Sequence, residues 1–481
     1  MAPFFHLCFL GCLALCGAGL LLWWSRGKRA WGLGLFFGTA FAALLIHQAW
    51  WQLHGGGSIG FQKFQRRYDS RPSAVARAAE GRGRLLDRKG RILAQGIPGK
   101  RWGHQTLLGE AGLHVVGYAS RNFGLSGLER VFDAKLCGFA VPEETRDLLK
   151  RAEPVDVQTT LDADLQRVAF TALKGRRGAV VALDPRSGAI LALVSSPSFD
   201  EADLAKAMKE KKESPLFNRA THGLYAPGSV FKTFTAALAW DAAKAGEYVC
   251  PGQGWRPAPS TKPIRDTHPL EGTNPRMALR SAFAQSSNIY FAKAARATGW
   301  PAFAEAMARC ELDKPFVLAR CGERTFGTLG GRVPDLEKAP NRVVYLGFGQ
   351  GDLRLTPLHV AALTATFANG GVLMPPHLER HCAGSGKRLW KASTAAKVRE
   401  LMRASVTEGT SRGVAFKDLA VCGKTGTAET SGKDHAWFTC FAPAANPQIV
   451  VTVLVEHGGF GAAAALPVAR EVLAAWQKQT R

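Results

Sequence analysis

Acid is what this chain has least of relative to its counterpart: 38 Asp and Glu stand against 62 Lys and Arg over 481 residues, a formal net charge of +24. That imbalance points toward acidic partners such as an anionic polymer or lipid surface, and it reads equally as a generally basic surface with no specific partner. The basic residues are scattered, and the chain lacks any helix-turn-helix, zinc-finger or RNA-binding signature, so no nucleic acid partner is expected. Metal-ligand spacing is absent among the histidines, so no metal is expected. Gly347, Gly349 and Gly351 do not fit G-x-G-x-x-G and read as a turn instead of a phosphate cradle, and no cofactor is expected. Ten cysteines include three in the first hydrophobic stretch; the other seven (Cys137, Cys250, Cys310, Cys321, Cys382, Cys422, Cys440) are odd in number, which excludes a fully paired set. Cys310 and Cys321 are nearest in sequence, while Cys422 and Cys440 sit on strands that could be neighbours or could simply hold buried thiols.

What is present begins with two hydrophobic spans, about Phe4–Trp24 and Trp31–Leu53, each close to the ~20 residues that cross a bilayer. Between them lies the basic loop Ser25-Arg-Gly-Lys-Arg29, which the positive-inside tendency places in the cytoplasm. Everything after about His54 is then extracytoplasmic, with Trp23, Trp24, Trp31, Trp50 and Trp51 at interfacial positions. A cleaved signal peptide fits less well, because Met1–Leu7 carries no Lys or Arg and no Ala-x-Ala site follows.

The stretch that organises the rest is Tyr225-Ala-Pro-Gly-Ser-Val-Phe-Lys232 and the apolar run after it. Pro227 and Gly228 break the preceding structure, and Ser229, Phe231, Phe234, Ala237 and Leu238 recur at helical spacing. Ser229 therefore stands in a helix's first turn, where free N–H groups and the helix dipole can stabilise an oxyanion. Lys232 lies one turn on, and a desolvated lysine there can serve as general base. Taken alone, S-x-x-K reads first as an N-cap serine beside a solvated lysine, and Ser25-Arg-Gly-Lys28 matches it too.

Ser286-Ser-Asn288 fits S-x-N, and Lys424-Thr-Gly-Thr427 fits K-T-G followed by a hydroxyl residue. The three motifs in this order are the signature of penicillin-binding proteins and class A β-lactamases. With Asn218-Arg-Ala, Leu346-Gly-Phe-Gly-Gln-Gly351, Thr356-Pro357 and Gly423-Lys-Thr-Gly-Thr-Ala-Glu429, residues 80 to 478 resemble a class B penicillin-binding protein. Such proteins have a single-anchor design, so the second span departs from the pattern.

The chain divides on this reading into residues 1–53 (two transmembrane helices and the basic loop), 54–155 (a short non-catalytic pedestal) and 156–481 (the transpeptidase domain). In the pedestal, Leu85–Ala94 reads as two short strands joined at an Arg-Lys-Gly turn, and Gly124-Leu-Ser-Gly-Leu-Glu129 resembles a second pedestal motif. Its Asp, Arg and Glu residues are expected to fix turns, not to do chemistry. In the transpeptidase domain Leu161, Leu165, Val168, Ala169, Ala172 and Leu173 form a helical stripe, followed by strand-like runs Ala179–Leu183 and Ala189–Val194. Three more strands are expected around Val421–Thr427, Ala436–Phe441 and Gln448–Glu456, then an amphipathic stretch Leu466–Gln477. Two strands early and three late imply one sheet split by a mainly helical insert. The fold class is thus α/β (α+β): by resemblance, a five-stranded antiparallel sheet flanked by helices, with an inserted all-α subdomain. Thr356 reads as an N-cap and Pro357 as the first helical residue.

The resemblance implies that Ser229 attacks the D-Ala-D-Ala carbonyl of a peptidoglycan stem peptide and that Lys232 deprotonates it. It implies that Ser286 relays a proton to the leaving nitrogen, that Asn288 holds the substrate amide and Lys232, and that Lys424, Thr425, Gly426 and Thr427 bind the substrate end carrying the carboxylate. The oxyanion would lie between the N–H groups of Ser229 and Thr427. β-Lactams would inhibit covalently. The implied setting is the bacterial cytoplasmic membrane, embedded beside a polytopic glycan polymerase of the SEDS type, since no glycosyltransferase region is present. Glu337 and Asn341 imitate the spacing of a β-lactamase deacylating site among prolines, a coincidence on this reading. A D,D-carboxypeptidase and a non-catalytic penicillin-binding scaffold or sensor are the rival functions.

Overall fold

The computed structural model describes residues 37–47, 82–97, 104–120, 122–138, 154–269, 275–380 and 384–480. The chain falls into two units, residues 1–72 with 122–124, and residues 73–121 with 125–481. In the first unit a helix runs over 37–47 and exposes Phe37, Phe41, Leu44 and Leu45. No helix among the described residues is long and apolar enough to cross a membrane. The expected span Phe4–Trp24 and the loop Ser25–Arg29 lie outside the described residues, and the second span is described only over 37–47.

The second unit is built on an antiparallel five-stranded sheet. Its strands are β1 (Gly178–Leu183), β2 (Ile190–Ser196), β3 (Cys422–Ala428), β4 (His435–Ala442) and β5 (Ile449–Val455), in the spatial order β3-β4-β5-β1-β2. The expected split sheet is present, with the late pair β4 and β5 joining the early pair through Val450↔Leu183 to Val455↔Gly178. All residues of β1, β2 and β5 are buried because both faces are covered, so these strands read as continuous apolar runs without alternation. Ala179, Val181 and Leu183 pack into one core, and Val180 and Ala182 into another across the sheet.

That second core receives α1 (Ala163–Leu173), the helical stripe expected from the sequence, and α7 (Leu466–Thr480). Asp162 caps α1 by accepting from the Asp164 and Leu165 N–H groups. The first core is filled by α2 (Lys232–Asp241), α3 (Leu279–Gln285), α4 (Asn288–Thr298), α5 (Pro357–Ala368) and part of α6 (Ala392–Thr407). Every residue of α5 is buried, which fits its apolar character all round. Thr356 does cap it, accepting from His359 N–H, with Pro357 opening the helix. A chain of buried hydroxyls, Thr364–Thr439 (2.8 Å) and Thr439–Thr452 (2.7 Å), joins α5 to β4 and β5. The insert is helical as expected but also contains a hairpin, Val317–Cys321 against Arg324–Gly327.

Strands Leu85–Leu86 and Ile92–Gly96 pair as the sequence suggests, and Val157–Gln158 adds a parallel strand beside the first. Asp87 is fully buried and accepts from the N–H groups of Lys89 and Arg91 and from the Arg91 guanidinium, so it fixes the turn. Glu129 is equally buried and pairs with Arg82. Among the described residues Cys250, Cys310, Cys321, Cys422 and Cys440 form no disulfide, while the Cys137 sulfur accepts from the Arg82 guanidinium (3.0 Å); Cys382 lies outside the described residues. Cys422 and Cys440 lie on neighbouring strands, β3 and β4, and both are buried.

One buried titratable group makes stability depend on pH. His114 lies inside, its Nε2 2.7 Å from the Pro215 carbonyl and its ring edge-on to Phe199. Burial pushes its pKa down from 6.5 to about 4. Between those values the unfolded chain holds the extra proton, so this contribution is complete above the unfolded pKa and is lost as pH falls toward 4. Urea unfolding should weaken across that window by up to ~1.4 kcal/mol per pH unit from this group. His114→Gln, which can still donate to Pro215, should lose less over the same range.

Candidate active site

The site forms where the Tyr225–Lys232 stretch is pinned between β3, β4 and the insert. Trp437 on β4 donates its indole N–H to the Ala226 carbonyl (3.0 Å), and Tyr225 donates its hydroxyl to Glu456 just past β5 (2.7 Å). Tyr225 also exchanges two backbone hydrogen bonds with Leu355. Held at Tyr225 and Ala226, the chain turns through a short 3-10 segment, Gly228–Phe231, and enters α2 at Lys232. The expected helix start is therefore present, with its first turn tightened.

Gly228 is required at that turn. Its φ is +54°, and a Cβ there would stand 2.4 Å from the Thr427 carbonyl oxygen. The bare backbone lets the Ser229 turn lie directly on the K-T-G strand, and Gly228 N–H donates to Gly349 O at 2.9 Å. Gly426 acts from the other side, since a Cβ on it would meet Val230 and Trp437 at 2.9 Å each.

Neither half of the N-cap reading of Ser-x-x-Lys is found. The residue before the 3-10 turn is Pro227, with no side-chain cap, and Ser229 faces a cleft of about 400 Å³. Lys232 is fully buried. Its Nζ donates to Ser286 O (2.7 Å), Asn288 Oδ1 (2.8 Å) and Ser286 Oγ (3.2 Å). Burial, reinforced by the charge of Lys424, holds its pKa well below the usual lysine value, while Asp266 opposes that shift.

Ser286 reaches Lys232 because of its backbone. It ends α3 in the left-handed conformation (φ 61°, ψ 41°), one residue before Ser287 caps α4 by accepting from Tyr290 N–H. A non-glycine residue there stores about 1–3 kcal/mol of strain, a cost characteristic of functional positions. The abrupt junction turns the carbonyl and hydroxyl of Ser286 toward one amine.

Lys424 sits on β3 with its side chain buried, Nζ donating to Thr425 O at 3.1 Å and lying 5.7 Å from the centre of the Phe283 ring. Burial brings its pKa down to about 7. Thr425 and Thr427 alternate onto the face of β3 that lines the cleft, as does Gly426's backbone. All eight residues singled out from the sequence are thus gathered in one place: Ser229, Ser286, Asn288, Thr425, Gly426 and Thr427 on the cleft wall, Lys232 and Lys424 buried behind it. Glu337 is exposed, and neither it nor Asn341 lines the cleft.

Thr410 and Asp266 are among the residues in and behind the cleft that the sequence reading did not single out. Thr410, in the loop after α6, shares a 2.7 Å hydrogen bond with Thr425 and lines the cleft. Asp266 accepts from Ser287 Oγ at 2.7 Å. Both contacts are long-range and belong to no local pattern.

Comparisons with known proteins bear on the fold and the family. Residues 178–474 match the penicillin-binding protein transpeptidase domain. Among curated relatives, the peptidoglycan D,D-transpeptidase PbpA of Mycolicibacterium smegmatis is 32% identical over 410 residues, 75% of this chain and 81% of that protein. The peptidoglycan D,D-transpeptidase MrdA of Escherichia coli is 28% identical over 405 residues, 72% of this chain and 63% of that longer protein. Among solved structures, penicillin-binding protein A from M. tuberculosis as a ceftriaxone acyl-enzyme complex superposes with a TM-score of 0.74 at 29% identity, covering 83% of this chain and 99% of that one. A fold, a motif-lined cleft and a family match over most of the sheet and insert lead to one conclusion: this chain belongs to the penicillin-binding protein transpeptidase family.

Proposed function

We propose that this chain is a peptidoglycan D,D-transpeptidase that works through an acyl-enzyme on Ser229. The observation that carries the reading is the buried Lys232 amine, bonded to Ser286 and Asn288 behind a cleft that Ser229 faces. Burial and the nearby Lys424 favour the neutral amine. A neutral Nζ has two protons for its three acceptors and a lone pair to take the Ser229 proton. Ser229 Oγ then bonds to the penultimate D-Ala carbonyl carbon, and the N–H groups of Ser229 and Thr427 receive the oxyanion. As the C–N bond breaks, the proton passes from Lys232 through Ser286 to the leaving nitrogen, and D-Ala departs. An acceptor amine attacks the ester, gives up a proton by the reverse route, and frees Ser229.

Substrate orientation falls to Asn288 for the peptide amide and to Lys424 for positive potential. Thr425 and Thr427 offer hydroxyls, and Gly426 close backbone approach, for the terminal carboxylate. β-Lactams would acylate the same oxygen. A stem peptide ending in D-Ala-D-Ala, incubated with the protein and a D-amino acid acceptor, tests the reaction by mass spectrometry. Transfer product supports the transpeptidase. Shortened peptide alone would make it a carboxypeptidase, and unchanged peptide a scaffold.

The reading extends to placement. Residues 1–53 would anchor the chain in the bacterial cytoplasmic membrane, 54–155 form the pedestal, and 156–481 act outside, beside a SEDS-type polymerase supplying glycan strands. A reporter active only outside the membrane should work when fused after about residue 60, and one active only inside when inserted at Gly27. The reverse pattern would remove the cell-wall substrate from reach.

A further inference from the structure

The segment Ile264–His268 meets the start of α4 through three hydrogen bonds. Ser287 Oγ donates to Asp266 Oδ2 (2.7 Å), Ile289 N–H donates to Asp266 Oδ1 (2.9 Å), and Asn288 Nδ2 donates to Arg265 O (3.0 Å). Both oxygens of one carboxylate are therefore spent on the first turn of a helix, where N–H groups lack partners and negative charge is favoured. The segment is itself anchored, since Trp255 and Ile264 exchange two backbone hydrogen bonds and Ile264 is buried.

The consequence reaches Lys232 by two routes. Because the Asn288 nitrogen is committed to Arg265 O, the amide must present its oxygen to Lys232 Nζ, 2.8 Å away. A flipped amide would set its nitrogen against the amine and its oxygen against the Arg265 carbonyl. The second route is charge. The charges of Lys424 on β3 and of Asp266 act on Lys232 in opposite directions, the first disfavouring its charged form and the second favouring it. Around Asp266, the Cys250 thiol lies 4.0 Å from Ser287 Oγ, and burial raises it to about 11, with Lys293 of α4 acting on it in the other direction. His268 lines the cleft nearby.

We propose that Asp266 is a positioning residue for acylation: it grips the Ser286–Asn288 turn so that Ser286 O, Ser286 Oγ and Asn288 Oδ1 converge on Lys232, and its charge acts on that amine against the charge of Lys424. This rests on the assignment of Ser229 and Lys232 as nucleophile and base. Asp266 touches neither substrate nor reacting atoms, so its effect is felt only through the turn and the field.

The test is the rate of acylation by a fluorescent penicillin across about pH 5.5 to 9 for the full-length protein, Asp266→Ala and Asp266→Asn, each checked for cooperative thermal unfolding. Asp266→Ala frees the turn and should slow acylation roughly ten- to a hundredfold on the plateau above the acid limb, the range for lost hydrogen bonds to a charged group. Asp266→Asn can keep both contacts, with its oxygen accepting from Ile289 N–H and its nitrogen donating to Ser287 Oγ, but removes the charge. Without that anion Lys232 loses its proton more readily, so the acid limb of the rate profile should move to lower pH. Acylation of Asp266→Ala at the wild-type rate would overturn the proposal. So would an Asp266→Asn profile that keeps its acid limb in place, since Asp266 would then be a helix cap only; that variant decides the matter if Asp266→Ala does not fold. Failure of the underlying assignment looks different: the wild-type protein itself would carry no adduct on Ser229.

Discussion

Ser229→Ala protein should take up no fluorescent penicillin at any exposure, while unfolding at about the wild-type temperature. The side chain has a single hydroxyl to lose, it faces the cleft, and it caps no helix. Removing it therefore takes away the atom to be acylated without opening a cavity or stranding a buried partner. Ser25→Ala, at the other S-x-x-K match, is the control and should label normally. Persistent labelling of folded Ser229→Ala would place the nucleophile elsewhere.

Lys232→Ala should retain the serine and lose most of the rate. General-base catalysis typically contributes ~10²–10⁴-fold, and labelling should slow by about that factor. Two opposing terms act on stability. Ser286 O and Asn288 Oδ1 lose their shared donor, a cost of about 1–3 kcal/mol for buried groups left unpaired. Against this, a buried amine beside a second buried lysine is removed, which relieves desolvation and like-charge repulsion. The fold should survive, so stopped-flow acylation at saturating penicillin can separate lost chemistry from lost binding. Lys424→Ala should differ, weakening capture of the ligand carboxylate and so acting partly through the concentration dependence.

Much of this architecture was legible because it is written in short, local patterns. Strands β1, β2 and β5 announce themselves as apolar runs of β length, β3 is marked by its K-T-G motif, and Thr356-Pro357 announces the start of α5 through cap chemistry that needs only two residues. The motif triplets mark Ser229, Ser286 and Lys424 even though 54 residues or more separate them in the chain, as in the contact of Lys232 with Ser286. The Val317–Gly327 hairpin was not legible: Val317 and Arg320 are exposed and Leu318 and Ala319 adjacent and buried, with a register shift that breaks strict alternation. Ser286's left-handed backbone could not be read either, since the residue type most suited to it, glycine, is absent there. Asp266 and Thr410 act across 21 and 15 residues through contacts that only the packed insert and sheet create.

The central claim is that Ser229 becomes esterified during turnover. Tandem mass spectrometry of protein quenched in acid while processing a D-Ala-D-Ala thioester analogue measures this most directly. An acyl group mapped to Ser229, which accumulates without acceptor and falls when a D-amino acid is added, is the predicted result. An adduct on any other residue, or turnover with no covalent intermediate on Ser229, would contradict it.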